Sequence, residues 1–357
     1  MTHIISLILA ITFSQTGFAV EETPGKGASL EQIEMMVEQN TLLSEQVKPR
    51  SSDPLLDLGE SGDREEIEIL PYAEYSKQKY FIFNDETHFS SMIIKEEFLR
   101  NLPKGIVPVI YTKNQSPEFL NSLRQTFEPF LSDPSILQVV HFEGHGTAFW
   151  SRDTIPVPVL LKGAEQTEFG VVDAKYSHDY EPDAKVAEMF NAKKLKHDYY
   201  FEGGNFLATA GGTCAVVDVQ AVKKIPDEIF TDLYGCKNLM RFPHLKGIGH
   251  MDESLKFIGD NLALTDLQEY KDLLEAEGFD VILFPKALQE YETYLNSVLL
   301  GDVVYVPVFD RAQDEEALAA YRNLGYKTVS MNSYYLSNRG LGSLHCISMV
   351  YPDMKQF

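Results

Sequence analysis

Short apolar segments typical of strands alternate with helical segments along most of this chain, and this alternation restricts its fold more than any other feature. Strands are predicted at residues 107–111, 137–142, 281–284, 303–308 and 327–331, and helices at residues 117–127 and 314–324. Such a chain builds an α/β architecture, in which helices pack against sheets. No break in composition after residue 67 requires a second domain, so we expect a single domain over residues 69–357.

The N-terminal residues have the features of a secretion signal. Residues 4–13 are almost all apolar but too few to span a bilayer. The small residues Gly17 and Ala19 suit the cleavage position. The sequence therefore predicts a signal peptide at residues 1–19. We expect an exported chain, periplasmic or extracellular, with no membrane insertion after cleavage.

An acidic extension separates this signal from the predicted domain. Residues 20–68 are rich in turn formers, so we expect a largely flexible segment with one short amphipathic helix near residues 30–37. The whole chain has 53 acidic and 31 basic residues and a formal net charge of −22. Nucleic-acid binding needs a basic surface and is disfavoured. An acidic protein instead attracts cationic ligands.

Cys346 has the most informative surroundings of the 3 cysteines among the 357 residues. In an exported chain Cys214 could pair with Cys236 and leave Cys346 as a free thiol. A thiol reacts as the thiolate, and a free cysteine titrates at about 8.5, so catalysis needs a base and charged neighbours. The segments around His250 and Asp153 could supply them if folding brings them to the sulfur.

Each of these residues also has an ordinary structural explanation. A lone cysteine is usually a small buried apolar residue, and a lone histidine is often a satisfied core residue. Asp252 opens the segment Asp-Glu-Ser-Leu-Lys-Phe, which favours a helix start with Asp252 as its N-cap. Asp153 precedes Thr-Ile-Pro and suits a turn. Only their combination indicates a catalytic site.

Five short motifs follow one another along the chain. They are Trp150-Ser151-Arg152-Asp153, Glu202-Gly203-Gly204-Asn205, Gly249-His250-Met251-Asp252-Glu253, Tyr294-Leu295-Asn296-Ser297 and Gly342-Ser343-Leu344-His345-Cys346. In type and order they resemble motifs of the guanidine-modifying enzymes (the pentein superfamily), above all the agmatine deiminases and the Porphyromonas-type peptidylarginine deiminases. The resemblance covers roughly residues 70–357. It implies the pentein fold, a five-bladed pseudo-symmetric α/β propeller, as a single catalytic domain.

The resemblance also implies catalytic roles for Cys346, His250, Asp153 and Asp252, and the chemistry of these groups agrees with it. A guanidinium is a resonance-stabilised cation, so its central carbon is a poor electrophile. The two carboxylates can grip it through charge-assisted hydrogen bonds. The Cys346 thiolate then attacks the carbon, while His250 protonates the departing ammonia and deprotonates a water. Hydrolysis of the amidino-cysteine leaves a ureido product, and no metal or organic cofactor is needed.

Four further residues of the motifs are candidate substrate contacts. Trp150 could stack on the guanidinium or simply fill the core. Asn205 could form a polar floor beside a tight glycine turn, and Asn296 belongs to the motif at residues 294–297. Arg152 is better suited to orienting a carboxylate than to touching substrate. His345 would point away from Cys346 in a strand, so we do not expect it to be the base.

The expected function is that of an arginine deiminase of the peptidylarginine type. The Porphyromonas-type enzymes grip a C-terminal carboxylate with an arginine pair, but residues 170–180 contain no arginine. Export disfavours agmatine deimination in the cytoplasm. An agmatine deiminase, an amidinotransferase, a cysteine protease and a non-catalytic exported binding protein are the alternatives. The predicted partner is a cationic guanidino compound: peptidyl-arginine, free arginine or agmatine.

Overall fold

The computed structural model describes residues 29–46, 67–144, 148–176 and 182–353, and the predicted signal peptide lies outside them. Within these ranges the α-helices are α1 (Leu30–Gln46), α2 (Ser91–Arg100), α3 (Pro117–Phe127), α4 (Ser151–Thr154), α5 (Asp183–Phe190), α6 (Asp227–Leu233), α7 (Gln268–Ala276), α8 (Asp314–Asn323) and α9 (Tyr334–Gly340). The strands are β1 (Glu68–Pro71), β2 (Gln78–Asn84), β3 (Val107–Thr112), β4 (Gln138–His141), β5 (Val157–Lys162), β6 (Thr167–Lys175), β7 (Lys193–Tyr200), β8 (Leu207–Ala208), β9 (Thr213–Val217), β10 (Asn238–Phe242), β11 (Leu255–Gly259), β12 (Leu262–Thr265), β13 (Asp280–Leu283), β14 (Val298–Leu300), β15 (Val303–Val308), β16 (Lys327–Asn332) and β17 (Met349–Pro352).

The described strands form five small mixed sheets, and each sheet contains the same unit. In each unit a helix crosses over between two parallel strands, as parallel pairing requires. A further strand pairs antiparallel with the first strand of the pair. The units are β17-β2-α2-β3, β5-β6-α5-β7, β8-β9-α6-β10, β11-β12-α7-β13 and β14-β15-α8-β16. β4 and β1 widen the first two sheets.

The buried apolar side chains form five clusters, and each cluster joins two neighbouring sheets. Phe81 of β2, for example, belongs to the same cluster as Val298 of β14, which joins the first sheet to the fifth. Five interfaces between five sheets make a closed ring. This ring confirms the five-bladed α/β propeller expected from the sequence. Its hydrophobic core lies between neighbouring sheets.

The ring is closed by the last strand of the described chain. β17 pairs antiparallel with β2, and Met349 lies opposite Ile82 in the register. The first sheet is therefore assembled from residues at both ends of the domain. The pairing gives β2 a hydrogen-bonded strand on each side, β17 on one and β3 on the other.

One local prediction is wrong. The sequence after Asp252 favours a helix, but Met251–Glu253 is only a single 3-10 turn, and strand β11 follows at Leu255–Gly259. Leu255 and Phe257 alternate along β11 and are both buried. Alternation with a period of two suits a strand with one face against a core, and pairing with β12 supplies its hydrogen bonds.

The structure bonds Cys214 of β9 to Cys236, which lies just ahead of β10, with a Cα–Cα distance of 5.6 Å. The parallel pairing of β9 with β10 brings the two residues together. Cys346 is a free, buried thiol. Among the described residues the disulfide therefore leaves one cysteine with a reactive sulfur.

Residues 29–46 of the predicted extension contain α1, which is 17 residues long and docks on the second sheet. Asn40 is fully buried there. Its Nδ2 donates to the carbonyl of Tyr200 at 3.2 Å, and its Oδ1 accepts from the N–H of Tyr200 at 3.0 Å. A third bond reaches the carbonyl of Ala221. In the described ranges no helix combines the length and the apolar character needed to cross a membrane.

Candidate active site

The five motifs occupy the same place in the five units, immediately before the antiparallel strand of each sheet. Asp153 precedes β5, Asn205 precedes β8, Asp252 precedes β11, Asn296 precedes β14 and Cys346 precedes β17. Because the units form a ring, equivalent positions come together at one end of its axis. The fold thereby gathers side chains that are far apart in the sequence.

A cleft of about 370 Å³ lies at this end of the axis. Three of the four predicted catalytic residues, Cys346, His250 and Asp153, line it together with Trp150. The remaining lining residues are Tyr176, Glu202, Ile248, Gly340, Leu341 and Gly342. The fourth predicted residue, Asp252, lies deeper and is 1% exposed.

The sulfur of Cys346 lies at the floor of the cleft between two polar side chains. Asn296 donates from Nδ2 to Sγ at 3.2 Å, and Oδ2 of Asp252 lies 3.7 Å from the same sulfur. Oδ1 of Asn296 accepts from the backbone N–H groups of Cys346 and His345. Burial raises the pKa of the Cys346 thiol well above its ordinary value, and the carboxylates of Asp252 and Asp153 raise it further. The empty site therefore holds a thiol, and a cation is needed to favour the thiolate.

His250 lies between two carboxylates. Its Nε2 is 2.9 Å from Oε2 of Glu202, and its Nδ1 is 3.8 Å from Oδ1 of Asp153. Burial lowers the pKa of His250, but the charge of Asp153 and the hydrogen bond to Glu202 outweigh burial and raise it. The imidazole is accordingly a cation near neutral pH, so it can donate a proton.

Gly204 allows the carboxylate of Asp153 and the His250 ring to come this close. Its N–H donates to Oδ1 of Asp153 at 2.8 Å. A Cβ at this position would lie 2.6 Å from Nδ1 of His250, so a larger residue cannot be accommodated without moving the ring. Burial raises the pKa of Asp153, and the charge of His250 opposes this. A substrate cation would further favour the carboxylate form.

Behind the nucleophile a buried chain of charged groups leads away from the cleft. Nδ1 of His345 is 2.6 Å from Oδ2 of Asp252, and its Nε2 is 2.7 Å from Oε2 of Glu74. The other oxygen of Glu74 binds the guanidinium of Arg152. Burial would raise the pKa of Asp252, but the hydrogen bond from His345 keeps it below its usual value. The other oxygen of Asp252, Oδ1, is buried with no hydrogen-bond partner in the described part of the chain.

Solved structures with this architecture cover most of the chain. The C. jejuni agmatine deiminase matches with a TM-score of 0.64 and 18% identity over 82% of this chain and 99% of that one. The Enterococcus faecalis agmatine deiminase matches with a TM-score of 0.63 and 15% identity over 81% and 96%. At these identities the likeness establishes the fold. No curated protein matches the chain in sequence.

The sequence profile of the Porphyromonas-type peptidyl-arginine deiminases matches residues 251–352. This segment contains Asp252, Asn296 and Cys346, which meet around the sulfur. In this segment the chain is similar to these enzymes, and its architecture is that of the agmatine deiminases.

The four predicted substrate contacts lie at different distances from the cleft. The ring of Trp150 lines it and packs on Gly342, where a Cβ would lie only 2.6 Å from the ring. Asn205 instead binds the backbone of Val217 through both amide atoms, at 2.7 and 3.0 Å, and does not line the cleft. It holds the glycine turn of its motif against β9. Asn296 contacts the nucleophile itself.

The side chain of Arg152 also lies outside the cleft. Its Nε donates to the carbonyl of Ser348 at 3.1 Å, and its guanidinium pairs with Glu74. The sequence interpretation that Arg152 orients a carboxylate agrees with this contact, although the carboxylate belongs to neither predicted aspartate. Among the described residues no three His, Cys, Asp or Glu side chains are grouped as metal ligands would be.

Three residues of the site were not singled out from the sequence. Glu202 was read only as part of a glycine turn, although it begins its motif and binds His250. His345 is not expected to be the base from the sequence because a strand would turn it away from Cys346, but residues 344–347 form a turn. Its contacts with Asp252 and Glu74 give it a different role. Glu74 follows β1 and stands outside every motif, so no sequence signal marked it.

Proposed function

We propose that this protein is a deiminase. It hydrolyses the guanidino group of arginine residues in peptides, through an amidino intermediate on Cys346. One observation supports the chemistry above all. The buried thiol, an unpaired carboxylate oxygen of Asp252 and the His250–Asp153 pair surround a single cleft. A planar cation between the two aspartates would place its central carbon next to the sulfur.

The first step uses the charge of the substrate. The carboxylates of Asp252 and Asp153 raise the pKa of the thiol, and a guanidinium bound between them offsets their charge. The thiolate that forms attacks the guanidinium carbon, making a C–S bond. His250 gives its proton to the departing nitrogen as the C–N bond breaks, and ammonia leaves.

The second step regenerates the thiol. Neutral His250 takes a proton from a water, whose oxygen attacks the amidino carbon. The C–S bond breaks, and the substrate keeps a ureido group. Asp153 and Glu202 stabilise the imidazolium that re-forms. The proton that the thiol loses before the attack leaves with the ammonia as ammonium. The hydroxyl proton of the second tetrahedral intermediate passes to the sulfur as the C–S bond breaks, so the two steps consume one water and restore the thiol.

The residues that line the cleft favour a substrate with no carboxylate at the end remote from its guanidino group. No lysine or arginine lines the described part of the cleft, so a C-terminal carboxylate finds neither side chain as a partner there. An arginine within a peptide has a neutral far end and fits this wall. Agmatine is the second candidate, since it also lacks a carboxylate and a C. jejuni agmatine deiminase variant is known with substrate bound.

We also propose that the deiminase works outside the cytoplasm. The predicted signal peptide at residues 1–19 supports this, and so does the pairing of Cys214 with Cys236, because disulfides persist mainly in oxidising compartments. Peptidyl-arginine is available in such a compartment. Locating the native protein by cell fractionation tests this part, and a purely cytoplasmic protein with reduced cysteines would contradict it.

A ureido colour assay tests the proposed reaction. The purified protein is given a peptide with internal arginine, a peptide with C-terminal arginine, free arginine and agmatine in parallel. We expect the highest kcat/KM for the internal arginine, and a loss of ~10³-fold or more in Cys346→Ala. Highest activity on agmatine would favour the second candidate. New guanidino products in the presence of glycine or ornithine would indicate an amidinotransferase, and no ureido product from any substrate would refute the reaction.

A further inference from the structure

A second cavity, with an interior space of about 30 Å³, lies on the ring axis and shares no lining residue with the cleft. Each of the five antiparallel strands contributes to its wall, through Val157, Leu207, Phe257, Leu299 and Met349. A cavity bordered by all five units lies at the centre of the ring. Most of this wall is apolar.

Three hydrogen-bond donors face this axial cavity without an acceptor in the described part of the chain. Lys256, Arg152 and Tyr72 all line it and are 4%, 4% and 5% exposed. Nη2 of Arg152 and the hydroxyl of Tyr72 are buried without a hydrogen-bond partner. No hydrogen bond or close ion pair joins Nζ of Lys256 to a described residue. Buried donors are rarely left unpaired in native proteins.

The charged side chains that line the axial cavity are two cations, Lys256 and Arg152, and one carboxylate, Glu74. Glu74 also lines it, but its two oxygens are already bound to Arg152 and His345. Glu74 therefore offsets the charge of Arg152 and leaves the ammonium of Lys256 unpaired. An unpaired buried charge is strongly unfavourable unless a counter-ion joins it. Burial indeed lowers the pKa of Lys256, while the carboxylate of Glu74 opposes this.

We propose that the axial cavity binds a small monovalent anion of about the size of chloride, held by Lys256, Arg152 and Tyr72. The apolar wall suits an ion that gives up its water easily, and a guanidinium is itself weakly hydrated. The carboxylate of Glu74 is 19% exposed, so solvent reaches this side of the cluster. The site does not depend on the deiminase reaction, because none of its lining residues lies in the cleft.

The anion would be connected to the catalytic centre by side chains already in contact. Arg152 binds Glu74, Glu74 binds His345, and His345 binds Asp252 beside the sulfur. An anion bound to Nη2 of Arg152 gives this buried donor a partner and holds the guanidinium in place. The site is therefore a structural support for the nucleophile as well as a counter-ion for Lys256.

Thermal unfolding of the full chain in sodium gluconate, with chloride added at constant ionic strength, tests the proposal. Gluconate is too large for the cavity and serves as the inert anion. We expect a saturable rise in melting temperature with chloride for the wild type. Lys256→Met should abolish it, and Tyr72→Phe, which keeps the ring and removes one donor, should weaken the apparent affinity about tenfold. Lys327→Met, a loss of the same charge at an exposed position, should behave as the wild type.

Diffraction from crystals soaked in bromide locates the ion directly, and we expect an anomalous peak within the axial cavity. A wild type with no saturable chloride response would overturn the proposal. So would an equal response in Tyr72→Phe, or a response lost in Lys327→Met as well. If Lys256→Met does not fold, Tyr72→Phe and the bromide experiment still decide the question.

Discussion

His345 and Asp252 form a buried hydrogen bond of 2.6 Å between Nδ1 and Oδ2, directly behind Cys346. The imidazole is fixed from its other side by Glu74 at 2.7 Å. One oxygen of Asp252 is thus occupied by the protein, and Oδ1 alone is left for a substrate. His345 holds the carboxylate in one orientation and keeps it ionised, so we regard it as a positioning residue.

Replacing His345 with glutamine should move the acid limb of the pH profile of kcat/KM to higher pH. His345 holds the pKa of Asp252 below its usual value against the effect of burial. Without the imidazole, burial dominates, the carboxylate takes up its proton at higher pH, and activity is lost earlier on acidification. The pH dependence of kcat/KM measures this shift to higher pH. His197→Gln, at a buried histidine bonded to Tyr234, should keep the wild-type limb; an unshifted limb in His345→Gln would argue against the positioning role.

Replacing Asp252 with asparagine should make the resting thiol easier to ionise while abolishing catalysis. The charge of Asp252 raises the pKa of Cys346, so its removal lowers that pKa. Alkylation by iodoacetamide at pH 8 should become several-fold to about tenfold faster. The measurement is specific because the other two cysteines are joined in a disulfide. Asp302→Asn, at an exposed pair, is the matched control, and slower alkylation in Asp252→Asn would contradict the assignment.

Replacing Glu202 with glutamine should move the basic limb of the pH profile to lower pH. The hydrogen bond and charge of Glu202 help to raise the pKa of His250. Without them the imidazolium loses its proton at lower pH, and the acid needed for ammonia release is lost earlier on alkalinisation. The pH dependence of kcat/KM measures this directly. Glu315→Gln, at an exposed ion pair, should leave the limb in place; an upward shift in Glu202→Gln would reverse the proposed role.

Removing the disulfide should weaken the fold without changing the chemistry. Cys214 and Cys236 are 22 residues apart, and neither lines the cleft. Closing a loop of this length is worth about 3 kcal/mol in the chain-entropy account. The double variant Cys214→Ala/Cys236→Ala should therefore lose about that free energy of unfolding in urea, with kcat/KM at 25 °C unchanged. Reductant should destabilise the wild type similarly and leave the double variant unaffected; a variant as stable as the oxidised wild type would show that the bond contributes little.

Elements with a clear local pattern were predicted closely from the sequence. The bounds of α3 and β15 agree with the prediction, since each has an apolar period that can be read within one segment. The prediction of a helix after Asp252 was wrong, because a short amphipathic strand has a similar composition. Periodicity over so few residues does not separate the two.

The five-unit ring is only weakly visible in the sequence. Asp153, Asn205, Asp252, Asn296 and Cys346 stand 52, 47, 44 and 50 residues apart, which follows from one motif in each unit. The units share topology but not residues, so no repeat is visible. Contacts such as that between Glu74 and His345, which are 271 residues apart, depend on ring closure and have no local signal.

The pairing of β17 with β2 makes catalytic competence a property of the completed chain. Cys346 enters its pocket only when the segment that follows it has paired with the first sheet. During synthesis every other motif emerges and can fold before the thiol does. A nascent or truncated chain would therefore carry the carboxylates and the histidine yet remain chemically inert. Activity of this protein would thus report that the segment after Cys346 has paired with the first sheet.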